Sequence, residues 1–332
     1  MSTQNSPITG KPMRVVYTPD TFEFRGRKYN ITYIAYRDDE SGEEFTTTES
    51  DSSWYNQATN QYRAEYGIPY TDEIVTLRER YGLSASKMSE ILGFGANQWR
   101  LYETGEVPSE SNGKLIRSAS NPKVFLDLVH GSRHQLTEKE YGKICANIQR
   151  IIDTADEYHR EQSAVQMIYR SERGLSNGFA PQSTARLKNL LLYILGLLGD
   201  TFQTKMNKVL FYIDFLSYRE RGMAISGLAY KAIDFGPVPL RWDRVYSAFD
   251  EVEQQPRLVH DQESIALTAT ADADMSLFSS QEVAIIDTVC GKMKGVSAHD
   301  ISQMSHDEPA WKNHLHQSGT IPFSEAFSLV AI

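Results

Sequence analysis

The sequence predicts a mainly α, multidomain protein with a small β module at its N-terminus. Three observations carry that expectation. Apolar and polar residues alternate near the N-terminus, as half-buried strands require. From about Ser53 the apolar residues recur at three- and four-residue steps, cut into short helical pieces by Gly and Pro. The 332 residues exceed the roughly 150 of one typical domain, and 40% hydrophobic with 23% charged residues is ordinary globular usage.

Residues 1–12 read as a polar tail and 13–52 as the β module. Phe22, Phe24, Tyr29, Ile31 and Tyr33 alternate with polar neighbours, Arg25-Gly26-Arg27 supplies a turn, and Asp38 to Gly42 marks a second one. A polar helix with aromatics follows from Trp54 to Tyr66, and Gly67-Ile68-Pro69 stops it.

Residues 53–130 read as a helix-turn-helix domain. Thr71 is placed as an N-cap, with Asp72 and Glu73 opposing the positive end of the helix dipole and Ile74, Leu77 and Tyr81 facing inward. Gly82 ends this helix, Ser84 or Ser86 caps a second with Met88, Ile91 and Leu92, and Gly93-Phe94-Gly95 turns into a third. Helices are also expected near Lys114 to Ser120 and from Pro122 to Val129. Thr137 with Glu140 forms a capping-box pattern, and the helix behind it carries Tyr141, Ile144, Cys145, Ile148, Ile151 and Ile152, running on toward Arg170. Residues 131–183 are a helical connector and linker, with Glu172 to Ser183 as the main boundary.

Residues 184–332 form the α-rich C-terminal domain. The run LLLYILGLLG precedes a helix with Phe202, Met206, Val209, Leu210, Ile213 and Leu216 on one face. Short β pieces are expected between Ile225 and Phe235, and the prolines of Gly236-Pro237-Val238-Pro239 exclude helix interior there. Helices follow from Arg241 to about Glu253, from Ser280 to Met293, and near Trp311.

Composition narrows the function. Thirty-four Lys and Arg against forty-three Asp and Glu leave a charge of −9, unlike a protein coated in basic surface. Cys145 and Cys290 stand far apart without a CxxC partner, which excludes a disulfide framework and a Cys-rich zinc site. The start lacks a signal peptide's apolar core, and Leu190 to Leu198 is about half the ~20 residues that span a bilayer, so the expected location is the cytoplasm, with no membrane partner.

Two short helices joined by a glycine turn are how helix-turn-helix proteins place a reader in the major groove. Asn97, Gln98 and Arg100 stand at the front of the third helix, where an amide pairs with adenine and a guanidinium with guanine. With Lys87 they make up the candidate DNA-binding set; the alternative is an all-helical scaffold whose polar residues face water. Thr71 to Arg117 holds six basic and seven acidic residues, so the DNA reading calls for a homodimer that doubles the phosphate contacts. The dimer interface is left open between the β module and the helix after Thr137.

The run GLSASKMSEILGFGANQWRLYETGEVPSESNGKLIRSASNPKVF resembles the helix-turn-helix of MqsA-type antitoxins, and the likeness reaches upstream to FRGRKY and SGEEFTTTE. The resemblance implies repression of its own operon through operator DNA. That family binds zinc through paired CxxC motifs; here Asp38 and Ser41 stand at the second pair, no cysteine precedes them, and no metal is expected. Where the family tends to place Arg before the Tyr of its RYExG motif, this chain has Leu101, with Arg100 one step earlier.

A separate likeness covers Thr184 onward. TKMNKVLFYIDFLSYRERGMAISGLAYKAIDFGPVP resembles the signature of the Panacea, or SocA-like, domain, and MSHDEPAW its closing motif. That resemblance implies an antitoxin domain that binds and blocks a cognate protein toxin, among them toxic small alarmone synthetases. Candidate toxin-binding residues are Tyr212, Tyr218, Tyr230, Pro237 and Val238: tyrosine is favoured at hot spots, and Gly227 and Gly236 to Pro239 read as rigid turns. Core packing is the alternative for the tyrosines.

Rival classes are a proteolysis adaptor, a phage-type transcriptional regulator with a SocA-like domain, and a hydrolase or metalloenzyme using His299, His306, His314 and His316 with Asp300, Asp307 and Glu308. No HExxH, GxSxG, Walker A or GxGxxG pattern appears, so no catalytic residue and no cofactor is assigned.

Overall fold

The computed structural model describes residues 4–154, 163–169, 171–259, 262–317 and 319–332. The architecture is mainly α, with a three-stranded N-terminal sheet and a helical C-terminal region. Contacts divide the chain into two compact units: residues 1–58 group with 163–332, and residues 59–162 form the other.

In the first unit, β1 (Arg14–Phe24) and β2 (Arg27–Arg37) pair antiparallel with Phe24 opposite Arg27. The turn between them is Arg25-Gly26, with φ of 50° and 76°, which suits a two-residue hairpin whose twist matches the strands. The short β3 (Glu44–Phe45) adds to β2.

Residues 4–12, expected as a polar tail, fold into a turn that mirrors the one at Asp38–Gly42. Gly10 N–H donates to the Ser6 carbonyl at 2.9 Å as Gly42 N–H does to Asp38 at 2.8 Å, and both glycines have positive φ. Ser6 Oγ accepts from the N–H of Ile8 and Thr9, while Asp38 Oδ1 accepts from Glu40 and Ser41. The Ser6 and Thr9 hydroxyls then donate to Asp38 Oδ2, at 2.6 and 2.9 Å. A buried carboxylate ringed by donors therefore joins the two turns.

Helix α1 (Thr48–Tyr66) leads from this unit toward the next. Its first half packs Trp54 on Phe22, with ring centroids 4.9 Å apart, and the Gln57 amide pairs with both main-chain groups of Thr32.

The second unit is a helical bundle: α2 (Thr71–Arg80), α3 (Ala85–Ile91), α4 (Gln98–Glu103), α5 (Glu110–Ala119), α6 (Pro122–Gly131) and α7 (Glu138–Asp153). Ile74, Leu77 and Tyr81 join Met88, Trp99, Phe125 and Ile148 in one core, as their spacing predicts. The cap of α2 is Tyr70 rather than Thr71, since Glu73 reaches back to the Tyr70 N–H at 2.9 Å. Ser84, not Ser86, caps α3. The Thr137–Glu140 capping box forms, with both reciprocal hydrogen bonds. The extension expected toward Arg170 falls partly on residues 155–162 and 170, outside the described residues.

The first unit resumes with α8 (residues 163–168). Residues 171–183, expected as part of a linker, are packed: Phe179 is buried and Arg173 Nε donates to its carbonyl at 2.8 Å. Then come α9 (Thr184–Leu198), β4 (Thr201–Phe202), α10 (Gln203–Arg221), β5 (Tyr230–Ile233), β6 (Gly236–Pro239), α11 (Trp242–Val245), β7 (Val252–Val259), β8 (Gln262–Ala269), α12 (Ser280–Met293), α13 (Ala298–Asp307) and α14 (Pro309–Lys312). Every residue of α10 from Met206 to Arg219 is buried, so the helix is a hub rather than one-faced. The helix expected from Arg241 to Glu253 shrinks to the single turn α11, and the chain instead forms the β7–β8 hairpin, which pairs with β4.

Candidate functional site

In the helical unit, α3 and α4 are joined by a turn in which Gly93 takes φ 69°. Trp99 and Tyr102 pack inward, with Trp99 Nε1 donating to Glu103 at 2.9 Å and the Asn112 amide to Tyr102 at 2.8 Å. Asn97 stands at the N-cap position of α4, exposed, and its side chain makes no capping bond. Arg100 is exposed and forms no ion pair among the described residues, and Leu101 beside it is also exposed. The other two candidates are engaged. Gln98 donates to Glu106 at 2.7 Å, and Lys87 lies between Glu90 at 2.7 Å and Glu140 at 3.2 Å, which raise its pKa.

In the C-terminal part, the structure places Tyr212, Tyr218, Tyr230, Pro237 and Val238 inside the fold, where they offer no surface to a partner. The physical reason is α10: a helix buried on all sides turns its tyrosines into the core. Tyr218 packs on Phe323 with centroids 5.4 Å apart, and Tyr230 donates to Asp214 at 2.5 Å. Asp214 also accepts from the N–H of Ile225 and Ser226 and from the Ser226 hydroxyl, so the carboxylate pins the loop after α10. Burial drives its pKa up while these donors favour the ionised form.

What reaches the surface is the turn of the β5–β6 hairpin. Ile233 pairs with Gly236, leaving Asp234 and Phe235 as the tip, and Phe235 is 71% exposed. Gly236 has φ 100°, a conformation closed to side-chain-bearing residues. Trp242, just after the hairpin, is 39% exposed. Sequence reasoning missed Phe235, although an aromatic between Asp and Gly-Pro in a two-residue turn has no strand face to bury it.

The hairpin covers a seam in which α10, β6 and α13 pack on one another. Lys208 of α10 meets Ser305 and His306 of α13 there, and Tyr212, one turn further along α10, lies beside Glu308. His306 stacks on Trp311 at 4.3 Å, and Trp311 Nε1 donates to the Ile233 carbonyl at 2.8 Å, tying α13–α14 to the hairpin. Burial, then the Lys208 cation, pushes the His306 pKa down against the opposing pull of the Asp234 main chain and Asp307. Glu308 is fully buried and accepts from the N–H of Val330 and Ala331.

The four C-terminal histidines do not converge. His299 is exposed, His306 stacks on Trp311, His314 meets Glu325 at 3.0 Å, and His316 lies 3.9 Å from Asp234. Among the described residues no group of three or more His, Cys, Asp or Glu could hold a metal, and no helix is long and apolar enough to cross a membrane. A separate cleft of about 520 Å³ is lined by Met167, Ile168, Phe249 and Arg244, and a Lys188–Glu251 ion pair of 2.7 Å lies at its wall.

Residues 206–312, which hold α10 from Met206 onward, the hairpin and α13–α14, match the family model of the antitoxin SocA-like Panacea domain. The C-terminal region is thus similar to that antitoxin domain over about a third of the chain. No curated protein and no solved structure matches the chain.

Proposed function

We propose that the chain is the antitoxin of a toxin–antitoxin system, silencing a cognate protein toxin by binding it and repressing its own operon by binding operator DNA. The observation that carries this reading is the Panacea match over residues 206–312. Inhibition is occlusion: the β5–β6 hairpin presents Phe235 as an apolar anchor on the rigid base of α10, and the interface covers about 1,200–2,000 Å² of the two surfaces. A toxic small alarmone synthetase fits the partner class. No covalent step is required of the antitoxin, and it works in the cytoplasm.

Asn97 at the N-cap of α4 and Arg100 within it are the exposed polar candidates for base edges or phosphates. A homodimer reads an inverted repeat with half-site centres about 10 bp apart or a multiple of that. The test is co-expression of the adjacent reading frame with and without this chain. Growth arrest by the neighbour alone, relieved by the full chain and not by a Phe235→Asp variant, supports the reading; a harmless neighbour removes it.

A further inference from the structure

Lys208 is an anomaly in electrostatic terms. It has no exposed surface, and its Nζ has no hydrogen-bond acceptor among the described residues. A buried ammonium is ordinarily matched by a carboxylate, because removal from water is too costly otherwise. None is matched here. Asp214 is committed to the donors of Ile225, Ser226 and Tyr230, and both oxygens of Glu308 to Val330 and Ala331. The Lys208 pKa is lowered to about 8 by burial, with no carboxylate acting against it.

The fold makes room for this cation deliberately. A Cβ at Gly236 would stand 2.7 Å from Lys208 Cε, 3.2 Å from Nζ and 2.6 Å from Ser305 Oγ. Among the described residues, two more buried polar atoms of this region have no hydrogen-bond partner: the Tyr212 hydroxyl and His306 Nε2. Three elements thus each contribute, or make space for, a polar group without a hydrogen bond of normal geometry among the described residues, the Tyr212 hydroxyl lying beside the Glu308 carboxylate. A water would take up hydrogen bonds but leave the charge; an anion with acceptor oxygens does both.

We propose that the seam between α10, β6 and α13 is a binding site for a small oxyanion, a phosphate or carboxylate group, held by Lys208 Nζ, the Tyr212 hydroxyl and His306 Nε2. The ligand enters beneath the Asp234–Phe235 turn, whose tip already faces solvent. The site rests on the buried groups beneath the hairpin, not on Phe235, and holds whether or not the hairpin docks a protein partner.

The experiment is thermal unfolding of the full chain titrated with sodium phosphate and, separately, sodium acetate, each against sodium chloride at equal ionic strength. A saturable rise in Tm with phosphate marks a phosphate-bearing ligand, and a rise with acetate a carboxylate. Lys208→Met, of similar length and uncharged, is expected to lose that rise, and Tyr212→Phe to weaken the apparent affinity about tenfold. Neither anion giving a saturable rise, or Lys208→Met responding like the parent, overturns the site. Should Lys208→Met not fold, a crystal of the parent grown in saturating phosphate decides: density for the anion at Lys208 supports the proposal, and a seam holding water alone overturns it.

Discussion

The Ser6 hydroxyl donates to the Asp38 carboxylate at 2.6 Å across thirty-two positions of sequence, and Thr9 donates to the same oxygen. These bonds, together with main-chain N–H groups of Glu40 and Ser41, hold the Asp38 carboxyl well below the usual carboxylate range. Its folded pKa is thus below the unfolded one, so its contribution is complete above about pH 4 and is lost as the pH falls through the folded value. Asp38→Asn is expected to lower Tm at pH 7 and to flatten the loss of stability below pH 4, as followed by circular dichroism; an acid limb identical to the parent's would count against this role.

Asn97→Ala is expected to weaken operator binding by roughly 1–3 kcal/mol, because one bidentate base contact is worth that much. Neutralisation of the toxin is expected to stay intact. A mobility-shift titration at fixed salt measures the first and a growth assay the second; equal operator affinity for variant and parent would remove Asn97 from the groove.

Phe235→Asp changes an exposed tip, so stability should change by less than about 0.5 kcal/mol. Toxin binding should fall by about 2 kcal/mol or more, the loss expected for a hot-spot aromatic. Calorimetric titration of purified toxin gives the number, and unchanged affinity would move the interface elsewhere.

Lys208 sets a stability trend at alkaline pH. Its folded pKa is lowered to about 8, below the unfolded value near 10.5, so the unfolded chain binds more protons between these values and stability rises with pH. The gain should reach roughly 2 kcal/mol between pH 8 and 10 in phosphate-free buffer. From about pH 9 the buried Cys290 thiol, pushed up to about 12, and above pH 10 the buried Tyr212, Tyr218, Tyr230 and Tyr246, whose folded pKa values are raised, act in the opposite sense. Denaturant unfolding across pH 7–10 should show the stability of the parent rising relative to that of Lys208→Met, since Cys290 and Lys205 titrate alike in both; parallel profiles would remove Lys208 from this role.

Gly222, at φ 66°, ends α10 where a Cβ would come within 2.6 Å of the Ser53 carbonyl on α1. Ser53 Oγ and the Asn56 amide donate to the carbonyls of Arg219 and Arg221 at the same place. Gly222→Ala is expected to cost roughly 2 kcal/mol or more, since backbone on both sides must yield. A denaturation midpoint equal to the parent's would show that this contact gives freely.

Much of the fold was legible where local chemistry and tertiary packing agree. Thr137 and Glu140 announce α7, Pro122 opens α6, and Arg25-Gly26 closes the first hairpin, because each satisfies its own backbone nearby. The β7–β8 hairpin was not legible: Val252 to Val259 alternates poorly, carries Pro256 and leaves Leu258 exposed, so period two never emerges. The tyrosines of α10 misled for a related reason. A helix buried on all sides has no polar face against which an aromatic could be read as exposed. The run that resembles the Panacea signature was readable as a string, yet the burial of Lys208 beneath Gly236 and beside Ser305, and the Asp214–Ser226–Tyr230 cluster, arise from packing that no local periodicity announces.

The interleaving of the two units bears on how the protein is made. The N-terminal hairpin and α1 leave the ribosome long before Arg219 and Arg221, whose carbonyls receive Ser53 and Asn56, and at ordinary translation speed that wait is roughly 10–30 s. The helical bundle between them can fold while the first segment is still without its mate. Nascent chains are therefore open to proteases at their leading end until synthesis is well past its midpoint, and a message cut short before that point yields the helical bundle beside an incomplete first unit.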